Sequence, residues 1–239
     1  MPDVVFLADT FNRYFEPANC RAAVRVLEAA GLTVGYAQAA EPRPLCCGRT
    51  YLASGMIEQA KAEMQRTINV LKPYLAAGVP VVGLEPSCLL TFRDEVPRLI
   101  EDWSEDEGRQ VMLLEELLAT RDLPLGRLDR HALLHGHCHQ KAEAVMGPVE
   151  ACLRMIPGLS VEVIESSCCG MAGAFGYQAE TIEVSKAMGE LSLLPAIREA
   201  GPDDLVVADG TSCRHQIEDG IPRQALHVAR VLEMALDAR

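Results

Sequence analysis

The first half of the chain alternates short apolar runs with stretches in which apolar residues recur every three or four positions. The short runs predict buried strands, because they are bounded by polar or turn residues and rich in valine; they are VVFLA, LTVGY and VPVVGL. One helix is predicted after Glu16-Pro17. A longer one places Ile57, Ala60, Met64, Ile68 and Leu71 on one face, with only Lys61 interrupting the apolar stripe.

The second half repeats this order, with predicted strands HALLHG, LSVEVI and LVVADG. Helices are predicted up to about Met155, around Val184 to Leu191, and at the end of the chain. Strands that alternate with helices indicate an α/β fold with mostly parallel sheets covered by helices on both faces. We expect two tandem, pseudo-symmetric βαβ-type halves. In such sheets, ligands bind beyond the carboxyl ends of the strands.

Two cysteine motifs recur between the halves: Cys46-Cys47-Gly48 returns as Cys168-Cys169-Gly170, and Ser87-Cys88 returns as Ser212-Cys213. Self-similarity of this kind indicates a duplicated structural unit. We therefore expect a first half over 1–103, an acidic helix and linker over 104–129, and a second half over 130–239.

The charge balance narrows the range of partners. Lys and Arg number 22 and Asp and Glu number 34, so the net charge is −12, and no nucleic-acid partner is expected. No apolar run reaches the ~18 residues of a membrane span. The N-terminus lacks the basic and long apolar regions of a signal peptide. We expect a cytoplasmic location, with a peripheral position at the inner membrane only through partners.

Nine cysteines are the unusual feature of the composition. An odd number, two adjacent pairs and the expected lack of an export signal favour metal binding or redox chemistry over disulfides. Four thiols of the second half follow predicted strands and should converge at one sheet edge; they are Cys138, Cys168, Cys169 and Cys213. Four thiolates suit zinc or an iron–sulfur cluster. The absence of short Cys-x2-4-Cys knuckles favours iron–sulfur, and the alternatives are buried inert cysteines and thiol–disulfide chemistry.

The first half has fewer thiols. Three of them repeat the pattern, namely Cys46, Cys47 and Cys88. The position that matches Cys138 falls near Asp9-Thr10, so we expect this site to be weaker, empty or filled with zinc. Cys20 would be a ligand only if its helix turned inward and is otherwise a core residue, as is Cys152.

Histidines and glycines lie beside the cysteines of the second half. His135, His137 and His139 surround Cys138, and His215 follows Cys213. Each is either a ligand or proton donor beside a metal centre, or an ordinary hydrogen-bonded loop residue. The spacing of Gly170, Gly173 and Gly176 differs from the dinucleotide-binding fingerprint. We expect these glycines to let backbone N–H groups approach cluster sulfurs.

Six segments resemble the cysteine-rich CCG domain family, whose members include the B subunit of heterodisulfide reductase. They are DTFNRYFEP, CCGRTYLASGM, GLEPSCLLTFRDE, LHGHCHQKA, SCCGMAGAFGY and GTSCRHQIEDG, and together they span nearly the whole chain. Within the family, the chain resembles in particular the C-terminal iron–sulfur portion of bacterial FAD-linked D-2-hydroxyacid dehydrogenases, of the D-lactate or D-2-hydroxyglutarate type.

The resemblance implies an oxidoreductase component that passes electrons from a flavin-containing dehydrogenase subunit or domain and a ferredoxin-like iron–sulfur segment towards an acceptor. This sequence has neither a flavin-domain signature nor a C-x2-C-x2-C run, so FAD and the substrate chemistry are expected in a partner polypeptide or domain. The implied cluster ligands are Cys138, Cys168, Cys169 and Cys213, and the implied degenerate metal site comprises Cys46, Cys47 and Cys88.

The chain departs from the family pattern at two positions. The full motif ends in Cys-x-x-Cys, whereas Thr91 and Gln216 occupy the final positions here. In the heterodisulfide reductase relative, the full set of thiols holds a non-cubane cluster, and the missing thiols favour a simpler cluster of the 4Fe-4S type in this chain. The alternative function is a zinc-binding structural or docking module for a partner dehydrogenase.

Overall fold

The computed structural model describes residues 1–238 and divides the chain into two compact units, Met1–Leu123 and Pro124–Arg239. Each unit contains a four-stranded parallel sheet with helices around it. The α/β class and the two tandem halves predicted from the sequence are confirmed. Within residues 1–238, no helix combines the length and the apolar character needed to cross a membrane.

The sheet of the first unit has the strand order β2-β1-β3-β4 and is parallel throughout. Its strands are β1 (Val4–Phe6), β2 (Val34–Tyr36), β3 (Val81–Gly83) and β4 (Val111–Leu113). The two central strands, β1 and β3, are buried along their whole length, as expected for a sheet covered on both faces. Val5 of β1 pairs with Gly35 on one side and Val81 on the other.

The helices of the first unit are α1 (Thr10–Tyr14), α2 (Pro17–Ala29), α3 (Arg49–Ala53), α4 (Ile57–Ala76), α5 (Pro86–Leu89), α6 (Val96–Leu99), α7 (Glu105–Gln110) and α8 (Leu114–Leu118). Most of the predicted apolar stripe of α4 is buried, since Ala60, Met64, Ile68 and Leu71 are completely inaccessible, whereas Ile57 in the first helical position is exposed. The helix after Glu16 begins at Pro17, whose fixed φ suits the first helical turn.

The segment 104–129 differs from the expected acidic helix and linker. Ser104 caps the short helix α7, but residues 111–113 then form β4, which pairs with β3 and completes the first sheet. Val111 and Leu113 are fully buried in this strand, whereas Met112 is half-buried. A strand of three residues is too short for hydrophobic periodicity to distinguish it from a helix.

The second unit has the equivalent strand order, β6-β5-β7-β8, again parallel throughout. Its strands are β5 (His131–Leu134), β6 (Ser160–Val163), β7 (Leu205–Val207) and β8 (Ala225–Leu226). Its helices are α9 (Cys138–Ala142), α10 (Met146–Arg154), α11 (Ile182–Gly189), α12 (Leu193–Glu199), α13 (Thr211–Gly220) and α14 (Val228–Asp237). The two-residue strand β8 was not predicted, because it is too short to show any periodicity.

The strand order fixes where a ligand can bind in each unit. From β1 the chain crosses to β2 on one side, and from β3 it crosses to β4 on the other; β5 and β7 do the same in the second unit. Crevices outside the carboxyl ends of such diverging strands are the usual ligand sites of parallel sheets. In both units, the cysteine motifs lie in the segments that follow these strand ends.

Candidate metal centre

Four thiols of the second unit meet beyond the carboxyl ends of its strands. Cys138 is the first residue of α9, Cys213 lies in the first turn of α13, and Cys168 and Cys169 lie in the loop after β6. Their side chains form a continuous series of hydrogen-bonding contacts, from Cys138 to Cys168, on to Cys169, and then to Cys213. The nine cysteines, which all lie within residues 1–238, form no disulfide. The fold therefore brings together four thiols from three separate segments.

Gly170 shapes the turn that carries the adjacent cysteines. Its φ of +95° lies in the left-handed region, and an added Cβ would stand 2.2 Å from the carbonyl oxygen of Ser185 in α11. The Gly170 N–H donates to Sγ of Cys168 across 3.3 Å. The N–H of Gly170 thus approaches a cysteine sulfur, whereas the N–H of Gly176 donates to the carbonyl of Met171 instead.

Two of the thiols carry a lowered pKa. The pKa of Cys213 is lowered first by its hydrogen bond with Cys169, with further contributions from the imidazoles of His135 and His137, against the effect of burial. The pKa of Cys168 is lowered first by its hydrogen bond with Cys138, and also by Cys169 and the Gly170 N–H. The two other thiols act as hydrogen-bond donors in these contacts and have raised pKa values. The arrangement thus favours thiolate at two of the four positions, and thiolate is the form that binds metals.

His135 is the histidine that the structure places among the thiols. Its side chain is completely buried at the end of β5. One ligand atom each from His135, Cys169 and Cys213 lies within 4.8 Å of the other two. Nδ1 of His135 lies 2.8 Å from Oγ of Ser166, and the imidazole also hydrogen-bonds to the side chain of Cys213.

The remaining histidines near the cysteines have other contacts. Nδ1 of His137 accepts from the His139 N–H across 3.2 Å and caps α9, and the two imidazoles stack at 5.1 Å between centroids. Nδ1 of His215 lies 3.4 Å from the hydroxyl of Tyr177. His137 thus caps a helix, and His215 contacts a tyrosine hydroxyl.

Three thiols meet in the first unit in the same way. Cys47 lies in hydrogen-bonding contact with Cys46 and with Cys88, and the small cavity beside them is lined also by Leu7, Leu45, Asp9 and Thr10. The Gly48 N–H donates to Sγ of Cys46 across 3.4 Å, and the φ of Gly48 is +79°. The Cys-Cys-Gly turn therefore has the same geometry in both units.

The charges around the first site differ from those of the second. Burial raises the pKa of Asp9 to about 6, with a further contribution from the Glu85 carboxylate. The pKa of Cys88 is lowered by its hydrogen bond with Cys47, but burial and the carboxylates of Asp9 and Glu85 outweigh this and raise it to about 11. Carboxylates thus surround the first site, whereas imidazoles surround the second.

Two cysteines, Cys20 and Cys152, lie on helices outside the two clusters of thiols. Cys20 lies half-buried in α2, does not line the cavity of the first site, and has a pKa raised to about 12 by burial and by the Asp9 carboxylate. Cys152 is fully buried in α10 as a core residue.

The two positions that depart from the family motif have structural contacts. The Thr91 hydroxyl donates to the carbonyl of Ser87 across 2.7 Å. Nε2 of Gln216 donates to the carbonyl of Ser185 across 3.0 Å, which ties α13 to α11. Gln216 also lines a cavity of about 400 Å³. These side chains therefore hold the elements that carry the cysteines.

Comparison with known proteins agrees with this geometry. A sequence model of the cysteine-rich domain family, CCG, matches residues 6–93 and 132–218. The chain is 28% identical over 239 residues to the C subunit of anaerobic glycerol-3-phosphate dehydrogenase from Escherichia coli K12, which covers 98% of this chain and 59% of that protein. It is 26% identical over 225 residues to D-2-hydroxyglutarate dehydrogenase from the same organism, covering 90% of this chain and 21% of the enzyme.

A third relative has about the same length as this chain. Lactate utilization protein A from Bacillus licheniformis is 26% identical over 238 residues, which covers 89% of this chain and 91% of that protein. The chain thus spans about three fifths of the glycerol-3-phosphate dehydrogenase protein and about a fifth of the D-2-hydroxyglutarate dehydrogenase. Because the family model matches one segment in each unit and most of the chain, this protein belongs to the cysteine-rich domain family, CCG, of which it contains two copies.

Proposed function

We propose that this protein is an iron–sulfur electron-transfer module that works with an FAD-linked D-2-hydroxyacid oxidoreductase. The observation that carries the proposal is the convergence of Cys138, Cys168, Cys169 and Cys213 at one sheet edge. Two relatives are named for D-2-hydroxyglutarate and lactate, which are both 2-hydroxy acids. Flavin and substrate chemistry belong to the partner, together with a ferredoxin-like iron–sulfur segment.

The donor set of the second unit fits an iron–sulfur cluster of the 4Fe-4S type. Such a cluster supplies one-electron transfer and is held by four cysteine thiolates. Thiolates carry negative charge into a partly buried site, and here the ammonium group of Lys141 offsets part of it, while the imidazoles of His135 and His137 contribute to the lowered pKa of Cys213. The Gly170 N–H donates to Sγ of Cys168, and hydrogen bonds to ligand sulfur help to set the reduction potential of a cluster.

The donor set of the first unit fits a divalent cation better than a cluster. It has three thiols, and the carboxylates of Asp9 and Glu85 raise the pKa of Cys88. Because these carboxylates repel added negative charge, an anionic cluster is disfavoured, whereas Zn²⁺ neutralises thiolates and carboxylates together. The first site is accordingly proposed to hold zinc.

Metal analysis of protein purified and kept under strictly anaerobic conditions tests the proposal. We expect iron and sulfide in matching amounts from the second unit, at most one zinc from the first, and an EPR signal that changes on reduction with dithionite. Zinc in both units without sulfide would refute electron transfer and establish the zinc-binding docking module instead, since zinc is redox-silent.

The substrate class is tested in an anaerobic extract of native cells that contains the partners. D-2-hydroxyglutarate and D-lactate are added separately, and the visible absorbance of the chain is then compared after its rapid capture through an affinity tag. Bleaching by either acid is expected. Bleaching by glycerol 3-phosphate alone would contradict the assignment to D-2-hydroxy acids while leaving electron transfer intact.

A further inference from the structure

His135 occupies an unusual position at the carboxyl end of β5. Its side chain is completely buried, and its polar side-chain contacts are with the hydroxyl of Ser166 and the thiol of Cys213. A buried polar atom left unpaired costs about 1–3 kcal/mol, and here a cysteine sulfur stands where a buried imidazole needs its second partner. One ring nitrogen of His135 and the Sγ atoms of Cys169 and Cys213 lie within 4.8 Å of one another, and because Nδ1 contacts Ser166 we infer that this nitrogen is Nε2.

Ser166 provides an oxygen partner for one nitrogen of the imidazole. Its Oγ lies 2.8 Å from Nδ1 of His135 and 3.5 Å from the carbonyl oxygen of Ile164, so when the hydroxyl donates to that carbonyl its oxygen accepts from Nδ1–H. With the proton on Nδ1, Nε2 carries a free lone pair. Metal-binding histidines are oriented in this way, with one ring nitrogen donating to an oxygen and the other free to bind the metal.

The first unit shows what the fold itself requires at this position. The His135 N–H donates to the carbonyl of Val207 across 2.8 Å, and the Leu7 N–H donates to the carbonyl of Val82 across 2.8 Å. Leu7 therefore occupies the equivalent backbone position after β1, and its side chain lines the first site. Since an apolar side chain fills this position in one copy of the fold, packing does not explain a buried imidazole in the other.

We propose that Nε2 of His135 is a ligand of the metal centre held by the cysteines of the second unit. This inference rests on the proposed function only in requiring a metal at that site. Each iron of a 4Fe-4S cluster has one terminal position, so Nε2 would bind iron there in place of one of the two neighbouring thiolates. A zinc ion, with bonds of about 2.3 Å to sulfur and 2.0 Å to nitrogen, would bind Nε2 and both thiolates together.

Pulsed EPR of the reduced, iron-loaded full chain with ¹⁵N-labelled histidine tests the assignment. We expect a strongly coupled nitrogen in the native protein. It should be lost in His135→Gln and His135→Leu, the second of which introduces the residue found at the equivalent position of the first unit. The matched control is His131→Gln. His131 begins β5, at the end opposite to His135, and its Nδ1 likewise lies near a serine hydroxyl, at 2.9 Å from Oγ of Ser160. This control should keep the coupling.

The outcomes separate this inference from the proposed function. Iron-loaded protein with only a weakly coupled nitrogen, as from a hydrogen bond to sulfur, would overturn ligation by His135 and leave electron transfer standing. Zinc-loaded protein would refute electron transfer, and X-ray absorption would then test ligation: imidazole scattering lost in His135→Gln supports it, and unchanged scattering overturns it. A second unit that binds neither iron nor zinc would refute both.

Discussion

The two units share one scaffold but surround it with different side chains. Their sheets have equivalent strand orders, and their Cys-Cys-Gly turns donate the glycine N–H to the first cysteine across 3.4 Å and 3.3 Å. Four pairs of residues occupy equivalent positions and differ between the units. Named with the residue of the first unit before that of the second, they are Leu7 and His135, Asp9 and His137, Thr10 and Cys138, and Glu85 and Gly210. The backbone thus provides the same place for a metal in both units. The residues at these four pairs of positions decide the charge of each site and the number of ligands that it offers.

The pKa values of two equivalent thiols show the consequence. Cys88 and Cys213 both lie in the first turn of the helix after the third strand of their sheet. Carboxylates and burial raise the pKa of Cys88 to about 11, whereas the Cys169 hydrogen bond and two imidazoles lower that of Cys213. Duplication therefore preserved the fold while the electrostatic environment of the two sites diverged.

Removal of the central thiol of each site should produce the largest difference in iron content between variants of the two units. Cys169→Ser removes the thiol that contacts both Cys168 and Cys213, so we expect complete loss of iron and of the visible chromophore. Cys47→Ser is the equivalent change in the first unit and should leave the iron content unchanged. Metal and sulfide analysis of both variants decides this, and equal iron loss in the two would show that the first unit also binds the cluster.

Alanine at the glycine of each turn should reveal how tightly the turns are packed. Gly170→Ala forces a left-handed residue, at a cost of about 1–3 kcal/mol, and places Cβ 2.2 Å from the Ser185 carbonyl. We expect a total loss above about 3 kcal/mol in urea unfolding. Gly48→Ala should lose less, because its Cβ would stand 2.7 Å from the Ala60 carbonyl.

A third glycine separates backbone strain from steric overlap. Gly173 also has a positive φ, of +66°, but within residues 1–238 no atom lies within 4 Å of an added Cβ. Gly173→Ala should therefore cost only about 1–2 kcal/mol. Equal losses at all three glycines would mean that close packing behind the Cys-Cys-Gly turn contributes nothing.

The buried carboxylate of the first site should make metal-free protein sensitive to pH. The pKa of Asp9 is about 6 in the folded protein, against an ordinary value of 3.8 for an aspartate. The folded state therefore holds the proton more tightly, and stability is lost as the pH rises from about 4 through 6. A shift of about two units corresponds to about 3 kcal/mol.

Asp9→Asn tests this contribution, because asparagine does not ionise. We compare the unfolding free energies of the native and variant proteins at pH 4 and at pH 7 after chelation of metals. The difference between the two proteins cancels the titration of other carboxylates, and it should shift by about 3 kcal/mol in favour of the variant at pH 7. A difference that does not change with pH would contradict a raised pKa for Asp9.

The smallest effect is expected from restoring the missing thiol. Thr10→Cys gives the first unit a cysteine at the position equivalent to Cys138. We expect zinc affinity to rise by about tenfold or more, while the carboxylates of Asp9 and Glu85 still exclude an anionic cluster. Competition with a chromogenic chelator measures the affinity. Additional iron and sulfide in this variant would show that thiol number, and not charge, distinguishes the two units.

The sequence predicted most of what repetition and periodicity can encode. The strands β1, β3, β5 and β7 and the buried face of α4 follow from local apolar patterns, and the recurrence of Cys-Cys-Gly indicates the duplication. It did not predict β4 or β8, which have three residues and two. Strands of this length form because a neighbouring strand hydrogen-bonds to them and the surrounding residues bury them. The neighbouring strand is distant in sequence, so local patterns do not predict them.

The chain by itself determined the α/β class, the two copies and the sheet edge at which the cysteines lie, because hydrophobic spacing and strand-end position are local properties. Only the tertiary structure decided which polar side chains face those cysteines. Asp9, Glu85 and His135 acquire their roles from burial and from neighbours on other segments. Desolvation and Coulomb interactions depend on distance in space, and that distance is set when the strands assemble.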